Sequence, residues 1–216
     1  IEVGKLLAKK AADTLKRCTL ELGGHSPVII AEDANIEETI KTVGSYKFRN
    51  AGQVCISPTR FFVHEKIYNE VVDKFVDVAK NLKLGNGLDK ETTMGPMANH
   101  RRIVAMEKFM NDASKKGAST ITGGRRHGNA GYFWEPTILE NVPKDADLMK
   151  NEIFGPIVPL IKFSDYDEVV SEANSLRYGL ASYVYTENEK LKNKLANDIE
   201  AGGVSINSAA PMHVDI

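Results

Sequence analysis

The sequence predicts an α/β fold with a largely parallel sheet flanked by helices. Two observations predict it. Short apolar runs rich in branched and aromatic residues alternate along the chain with segments whose apolar residues recur at helical spacing. Turn-forming Gly, Pro and Asn concentrate in loops at 84–97 and 123–136. Alternation of strand and helix is typical of α/β domains with parallel strands.

The individual elements follow from these patterns in chain order. The apolar runs that we interpret as strands are 28–30, 61–63, 157–161, 183–185 and 204–206, and residues 20–22 are interpreted as the end of a further apolar strand. The helices are expected from near residue 35 to a break at residue 50, and over 67–82, 103–113, 165–175 and 191–199. Asp165 and Asp167 are expected to be a cap and a first-turn charge.

Composition excludes several classes of function. The 216 residues carry a net charge of −1, and aromatic residues are not interleaved with basic ones, so we expect no nucleic-acid partner. Two cysteines cannot form a disulfide framework, which indicates a reducing compartment and a cytoplasmic protein. No apolar run approaches the roughly 20 residues of a membrane span, so no membrane partner is expected.

Cys55 is the most informative single residue. The helical pattern before it breaks at Asn50-Ala51-Gly52, which places the thiol in a turn ahead of the strand-like run 59–63. A thiol in such a loop can be exposed and reactive, whereas a thiol in an apolar run is usually inert. On residue type alone, a small buried hydrophobe is the more frequent role of a lone cysteine.

Two glutamates stand in comparable positions. Glu21 follows apolar residues and precedes the pair Gly23-Gly24, so burial is expected to raise its basicity while the glycines let the backbone approach a ligand. Glu152 and Phe154 are two residues apart, and in extended geometry they would share one face. Taken alone, each glutamate is better interpreted as an ordinary turn residue.

The remaining candidates are interpreted as structural. The histidines show no metal-ligand spacing, so we expect no metal site and interpret them as surface or loop residues. They are His25, His64, His100, His127 and His213. Cys18 is expected to pack in the interior.

Three segments taken together resemble the aldehyde dehydrogenase superfamily. They are Leu20-Glu21-Leu22-Gly23-Gly24, Asn50-Ala51-Gly52-Gln53-Val54-Cys55 and Glu152-Ile153-Phe154-Gly155-Pro156. Their separations along the chain agree with that family as well, and the resemblance covers essentially the whole sequence.

The resemblance implies roles for individual residues. Cys55 would be the nucleophile that forms a thiohemiacetal and then a thioester, with its backbone N–H as one donor to the oxyanion. Glu21 would be the base that activates water. The implied partners are a small-molecule aldehyde and NAD or NADP, and the parent protein would be a homo-oligomer, either a dimer or a tetramer.

The cofactor contacts are likewise implied by the resemblance. Glu152 would hold the nicotinamide ribose, and Phe154 would contact the nicotinamide end. Gly4 matches the last glycine of the family's cofactor loop, and Gly23 belongs to the same site. Arg60 and Asn207 match positions that give structural support. One departure is Lys150-Asn151, where many members carry an acid beside the glutamate.

The resemblance also predicts how the chain is organised. Residues 1–22 would be the tail of a dinucleotide-binding domain, 23–207 a catalytic domain and 208–216 the start of a further segment. The helix pattern at residue 1 lacks a cap and the last residues form a loop, so we expect a piece of a longer protein. By itself this chain is expected not to oxidise aldehydes, because half of the cofactor site and one oxyanion donor would be missing.

Three alternatives remain open. An acylating relative would pass the acyl group to CoA or phosphate, although the Glu21 motif favours hydrolysis. A non-catalytic module that kept the fold is the second alternative, particularly for the chain alone. A cysteine hydrolase is the third, but no histidine pairs with Cys55 in sequence. The residues 56–60 resemble those of members that act on semialdehydes such as succinate semialdehyde.

Overall fold

A seven-stranded, largely parallel sheet forms the centre of the molecule. The computed structural model describes residues 1–209. The strands are β1 (Ser26–Ile30), β2 (Pro58–His64), β3 (Ser119–Thr122), β4 (Thr137–Glu140), β5 (Ile157–Phe163), β6 (Ala181–Tyr185) and β7 (Gly203–Ile206). Their order is β3-β4-β5-β2-β1-β6-β7, and every neighbouring pair is parallel except β3 and β4. The predicted fold class is confirmed.

Helices connect the strands and cover the sheet. They are α1 (Glu2–Ala12), α2 (Ile36–Phe48), α3 (Tyr68–Asn81), α4 (His100–Lys115), α5 (Asp147–Lys150), α6 (Tyr166–Ala173) and α7 (Glu189–Asp198), with short 3-10 turns at Arg49–Gly52 and Glu65–Ile67. The helices predicted from apolar periodicity are all present. Asp165 caps α6 as expected, since its Oδ1 accepts hydrogen bonds from the backbone N–H groups of Asp167 (2.8 Å) and Glu168 (2.9 Å).

The central strands are covered on both faces. Every residue of β1, β2 and β6 is buried, which explains why these strands are continuous apolar runs rather than alternating ones. Helices α2 and α3 contact each other and β2. Phe61 of β2 and Phe75 of α3 meet edge to face with ring centroids 5.2 Å apart, deep in this core.

Several local predictions were wrong. Residues 16–25 have no regular structure, so Leu20–Gly24 is not the end of a strand, and Cys18 is exposed rather than packed. β3 and β4 were missed because each has only four residues, and the Ser-Thr-Ile-Thr sequence of β3 carries little apolar signal. Within residues 1–209, no helix is both long and apolar enough to cross a bilayer.

Two histidines were also placed wrongly by the sequence analysis. His64 is buried at the end of β2, where Tyr166 stacks on it with centroids 5.9 Å apart and Phe163 meets it edge to face. His25 is buried immediately before β1, and its Nδ1 lies 2.9 Å from the Thr59 hydroxyl. Aromatic and hydroxyl partners from distant parts of the chain cover both rings. Of the other three, His213 lies outside the described residues, while His100 and His127 are exposed as expected.

Candidate active site

The loop that carries Cys55 is shaped by an uncommon run of backbone conformations. Asn50 (φ 51°), Ala51 (φ 53°) and Gly52 (φ 72°) all lie in the left-handed region directly after α2. Left-handed conformations carry a steric cost that glycine avoids. Asn50 and Gln53 hold the loop by reciprocal hydrogen bonds of 3.0 Å from each side-chain amide to the other residue's carbonyl oxygen.

Gln53 ties this loop to the next part of the structure. Its Oε1 accepts a 2.8 Å hydrogen bond from the backbone N–H of Ala98. The side chain is buried, so both ends of its amide are used within the protein. Gln53 therefore fixes the position of the residues that immediately precede Cys55.

Cys55 lies in the predicted turn. The backbone N–H of Ser57 donates to the carbonyl oxygen of Val54 at 2.9 Å and closes the turn around the thiol. Cys55 is half-buried and is not part of a disulfide. Within residues 1–209 its backbone N–H has no hydrogen-bond acceptor, so this donor is available to a ligand oxygen.

Two glycines bring the three motifs into contact. A Cβ on Gly24 would overlap the carbonyl oxygen of Cys55, and a Cβ on Gly23 would lie 2.5 Å from Oε2 of Glu152. Only residues without a side chain allow the backbone to pass this closely. The segment after Glu21 therefore runs between the Cys55 turn and the Glu152 side chain.

Glu152 is held with one carboxylate oxygen engaged. Oε1 accepts a 3.1 Å hydrogen bond from the backbone N–H of Gly24, whereas Oε2 has no partner among the described residues. Burial raises the pKa of this carboxyl, and the Gly24 N–H and the nearby Arg102 guanidinium partly oppose that rise. A carboxylate with a free oxygen in a half-buried position suits a ligand that offers hydroxyl donors, such as a ribose.

Phe154 does not share an extended face with Glu152. Its φ of 45° places it in the left-handed region, so the sequence argument from extended geometry was wrong at this residue. The side chain of Arg102 donates to the carbonyl oxygens of Ile153 and Phe154, the latter at 3.1 Å, and lies 5.7 Å from the Phe154 ring centroid. The ring is therefore aimed by this bent backbone.

Glu21 lies on the other side of the glycine pair. Its side chain is exposed and has no hydrogen bond or ion pair within the described part of the chain. The expectation that surrounding apolar residues bury it is wrong in this structure. The neighbouring residue Leu22 packs against the buried Gly4 of α1. A Cβ on Gly4 would lie 2.8 Å from the two methyl carbons of Leu22, so this contact holds the segment that carries Glu21.

Several residues that shape the site were missed by the sequence analysis. Lys47 is completely buried and its Nζ donates to the carbonyl oxygen of Gly155 at 2.9 Å. A signal existed, because Lys47 continues the helical spacing of the buried Ile40 and Val43 along α2. No comparable signal marked Arg102, whose partners are carbonyl oxygens far away in sequence.

Arg60 gives the structural support that was expected of it. It is buried and donates to the carbonyl oxygens of His25 (3.2 Å), Glu172 (2.9 Å) and Ala173 (2.7 Å). The last two lie at the C-terminal end of α6, where a cation is favourable. Burial lowers the pKa of Arg60 to about 10, so the guanidinium stays charged at neutral pH.

Asn207 has a comparable role beyond β7. It adopts a left-handed conformation (φ 49°), and its side-chain amide bonds both the N–H (3.0 Å) and the carbonyl oxygen (2.9 Å) of Thr186. It thus closes the end of the β6–β7 pair, in agreement with the supporting role that was expected of it.

Other parts of the surface offer less chemistry. A cleft of about 440 Å³ lies beside Glu32 and Lys194, and a cleft of about 490 Å³ lies between α2 and α3. Cys55 lines neither of them. Among residues 1–209, no group of three or more His, Cys, Asp or Glu side chains is arranged to hold a metal ion. The Cys55 turn is thus distinguished by its groups rather than by the depth of a cavity.

Comparison with known proteins agrees with the sequence resemblance. A family model described as the aldehyde dehydrogenase family matches residues 1–216. A probable succinate-semialdehyde dehydrogenase [NADP(+)] of Sinorhizobium fredii is 42% identical over 207 residues, which are 96% of this chain and 42% of that protein. A 3-sulfolactaldehyde dehydrogenase of Pseudomonas putida is 40% identical, over 96% of this chain and 43% of its own.

A solved structure shows the same architecture. The NAD+ complex of an aldehyde dehydrogenase from Bacillus cereus superposes with a TM-score of 0.91 at 42% identity, and the match covers 95% of this chain and 42% of that one. The chain therefore spans about two fifths of the length of the relatives that it matches.

Proposed function

Because the chain belongs to the aldehyde dehydrogenase family, we propose that the protein carrying it oxidises an aldehyde to a carboxylic acid with NAD or NADP, using Cys55 as nucleophile. One observation carries this proposal. The half-buried Cys55 has a backbone N–H without an acceptor in the described residues, and its carbonyl lies against Gly24, whose own N–H donates to Glu152.

The first chemical step takes place at the Cys55 sulfur. The thiolate attacks the carbonyl carbon, a C–S bond forms and the carbonyl oxygen becomes an oxyanion. The Cys55 N–H, which has no acceptor within the described residues, would donate to that oxygen. When bound, a nicotinamide cofactor would supply the hydride acceptor, and loss of hydride from the former carbonyl carbon would leave a thioester on the Cys55 sulfur.

The second step releases the acid. Glu21 removes a proton from water, the resulting hydroxide attacks the thioester carbon and the C–S bond breaks. The carboxylic acid leaves and the thiolate returns to its starting state. The exposed Glu21 carboxylate has no competing partner among the described residues, which supports its role as a base.

The residues proposed to hold the cofactor fit its chemistry. The free Oε2 of Glu152 would accept from ribose hydroxyls, and the Phe154 ring would contact the nicotinamide end. Gly23 leaves room beside Glu152 that any side chain would fill. Gly4 is proposed to belong to the same site through the α1 packing that places this segment.

The proposed substrate is a semialdehyde, of which succinate semialdehyde is the first candidate. The residues Ile56–Arg60 support it, as do the names of the relatives, which refer to succinate semialdehyde and 3-sulfolactaldehyde. Both of those aldehydes carry an anionic group. Both nicotinamide cofactors stay in the proposal, because one relative is named for NADP(+) and the Bacillus cereus structure holds NAD+.

The remaining predictions concern organisation. We propose that residues 1–22 belong to a dinucleotide-binding domain and 23–207 to the catalytic domain; most of the proposed segment 208–216 lies outside the described residues. A homo-oligomer, dimer or tetramer, and a cytoplasmic location stay predictions, the latter supported by the two free cysteines.

An assay of the protein that carries this chain tests the proposal. With a panel of semialdehydes and simple aldehydes, Cys55→Ser is expected to lower the rate of NAD(P)H formation by about a thousandfold or more, because serine is a far weaker nucleophile at neutral pH. The matched control, Cys18→Ser, should leave the rate within twofold. Formation of an acyl-CoA or acyl phosphate instead of a carboxylate would favour the acylating alternative, and an unchanged rate in Cys55→Ser would refute the assignment.

A further inference from the structure

Lys47 is buried at the junction of two motifs. It lies in the last turn of α2, just before the loop that leads to Cys55, and its side chain is fully buried. The hydrogen bond from Nζ to the carbonyl oxygen of Gly155 (2.9 Å) is its only hydrogen bond within residues 1–209, and no carboxylate pairs with it there.

This burial is unfavourable for an ammonium group. Desolvation lowers the pKa of Lys47 to about 7, and no carboxylate among the described residues pairs with the amine to oppose that lowering. A methionine side chain has similar length and would fill the same space without that penalty. What the amine can do and a methionine cannot is donate to the Gly155 carbonyl.

That carbonyl ends a segment held almost entirely by side chains. Arg102 donates to the carbonyl oxygens of Ile153 and Phe154, and Lys47 donates to the next one, that of Gly155. The segment is neither helix nor strand, and Phe154 adopts a left-handed conformation within it. A strained backbone persists only where its surroundings fix it. The hydrogen bonds to the carbonyl oxygens of Phe154 and Gly155 fix the backbone of Phe154 on its C-terminal side.

The same carbonyl also touches the Cys55 loop. A Cβ on Gly52 would overlap the carbonyl oxygen of Gly155, so the two loops are in direct backbone contact. Lys47 reaches this contact from the helix that leads into the Cys55 loop. One amine thus connects the helix before the nucleophile with the segment that carries Glu152 and Phe154.

We propose that Lys47 is a positioning residue for the cofactor: by holding the Gly155 carbonyl, its amine keeps Glu152 and Phe154 oriented to bind the nicotinamide end. The inference rests on the proposed function, since it assumes that these two residues contact the cofactor. It adds a residue outside the three motifs. It also predicts that removing the Lys47 amine weakens cofactor binding more than it changes the KM for the aldehyde.

The test compares Lys47→Met with Val43→Ala in the protein that carries this chain. Val43 is a buried residue of the same helix, so its truncation weakens α2 without removing the Gly155 contact. Calorimetry should give a Kd for NAD or NADP that is about tenfold higher in Lys47→Met, equivalent to the loss of one hydrogen bond. Val43→Ala should lower the Tm but leave the Kd within twofold, and the KM for the aldehyde should stay within twofold in both.

A readout without cofactor separates positioning from general destabilisation. Hydrogen–deuterium exchange of the peptide spanning 152–157 is expected to accelerate in Lys47→Met and not in Val43→Ala. If Lys47→Met does not fold, Lys47→Gln serves instead. The glutamine side chain is one atom shorter than lysine and would not reach the Gly155 carbonyl, so the Kd should rise at least threefold. An unchanged Kd in the folded variant overturns the inference alone, whereas a wild-type protein that binds neither NAD nor NADP overturns the proposed function and the inference with it.

Discussion

Cys55 differs from Cys18 in its backbone surroundings more than in its access to solvent. Cys18 is the more exposed thiol, and it lies in the irregular segment 16–25. Cys55 lies in a closed turn and has a free N–H within the described chain. Acyl chemistry needs a nucleophile and an oxyanion donor at the same carbon, and the proposed role of Cys55 would use its thiol and its own N–H, in a turn packed against Gly24.

Glu21 gives a prediction at the scale of a single residue. Glu21→Gln removes the proposed base but keeps the size and exposure of the side chain, so the thioester should form normally and hydrolyse slowly. We expect a rapid burst of NAD(P)H followed by a steady-state rate lower by about a hundredfold or more. Stopped-flow absorbance and intact-protein mass spectrometry of the acyl-enzyme measure this.

The control for that prediction is Glu107→Gln, an exposed glutamate of α4. It should show no burst and an unchanged steady state. A Glu21→Gln variant that loses the burst and the steady-state rate in equal proportion would mean that Glu21 acts before the thioester forms.

The loop after α2 shows how an element is set by a few residues. The sequence indicates the break at Asn50-Ala51-Gly52, but not that all three residues adopt positive φ angles. That conformation depends on partners that no local pattern reveals, since the Gly155 carbonyl lies against Gly52 and the Ala98 N–H bonds Gln53. Local propensity predicts where a helix ends, whereas tertiary contacts decide the path that follows.

Gly52→Ala tests this account of the loop. The new Cβ would overlap the Gly155 carbonyl oxygen, and alanine is strained at a φ of 72°. We expect a loss of about 2 kcal/mol or more in the free energy of unfolding, measured by urea denaturation. Gly95→Ala is the matched control, because Gly95 has open space around it and no positive φ. A difference of less than about 0.5 kcal/mol between the two variants would contradict the argument.

At the scale of the whole molecule, the sequence predicted what periodicity encodes. The buried parallel strands and the long helices carry strong apolar patterns, and they were predicted correctly. The short strands β3 and β4 and the irregular stretch 16–25 were not, because their conformation depends on pairing and packing with distant residues. In the candidate site, the motif residues were predicted through resemblance, and their roles stay predictions. Lys47 and Arg102 were missed, because each donates to carbonyl oxygens that lie more than 50 residues away along the sequence.

The buried His25 links the stability of the whole fold to pH. Desolvation, followed by the positive charges of Arg60 and Lys47, lowers its pKa to about 3, so the folded protein holds the ring neutral. The unfolded chain binds a proton near pH 6.5. Between pH 6.5 and pH 3 the unfolded state therefore carries more protons, and stability must fall as the pH decreases through this window.

The size of this effect can be measured against a histidine that remains in solvent. From pH 7 to pH 5, His25 should remove about 2 kcal/mol from the free energy of unfolding, since the loss approaches 1.36 kcal/mol per pH unit once the unfolded ring is protonated. Lys47 contributes little in this range. Its pKa is about 7 in the folded protein and higher in the unfolded chain, so its own effect on stability lies mainly above pH 7. The free energy of unfolding of His25→Gln, measured by urea denaturation at pH 7, 6 and 5, should fall with decreasing pH by this much less than that of the wild-type protein. The exposed control His100→Gln should keep the wild-type slope, and equal slopes in all three proteins would show that His25 accepts a proton without unfolding.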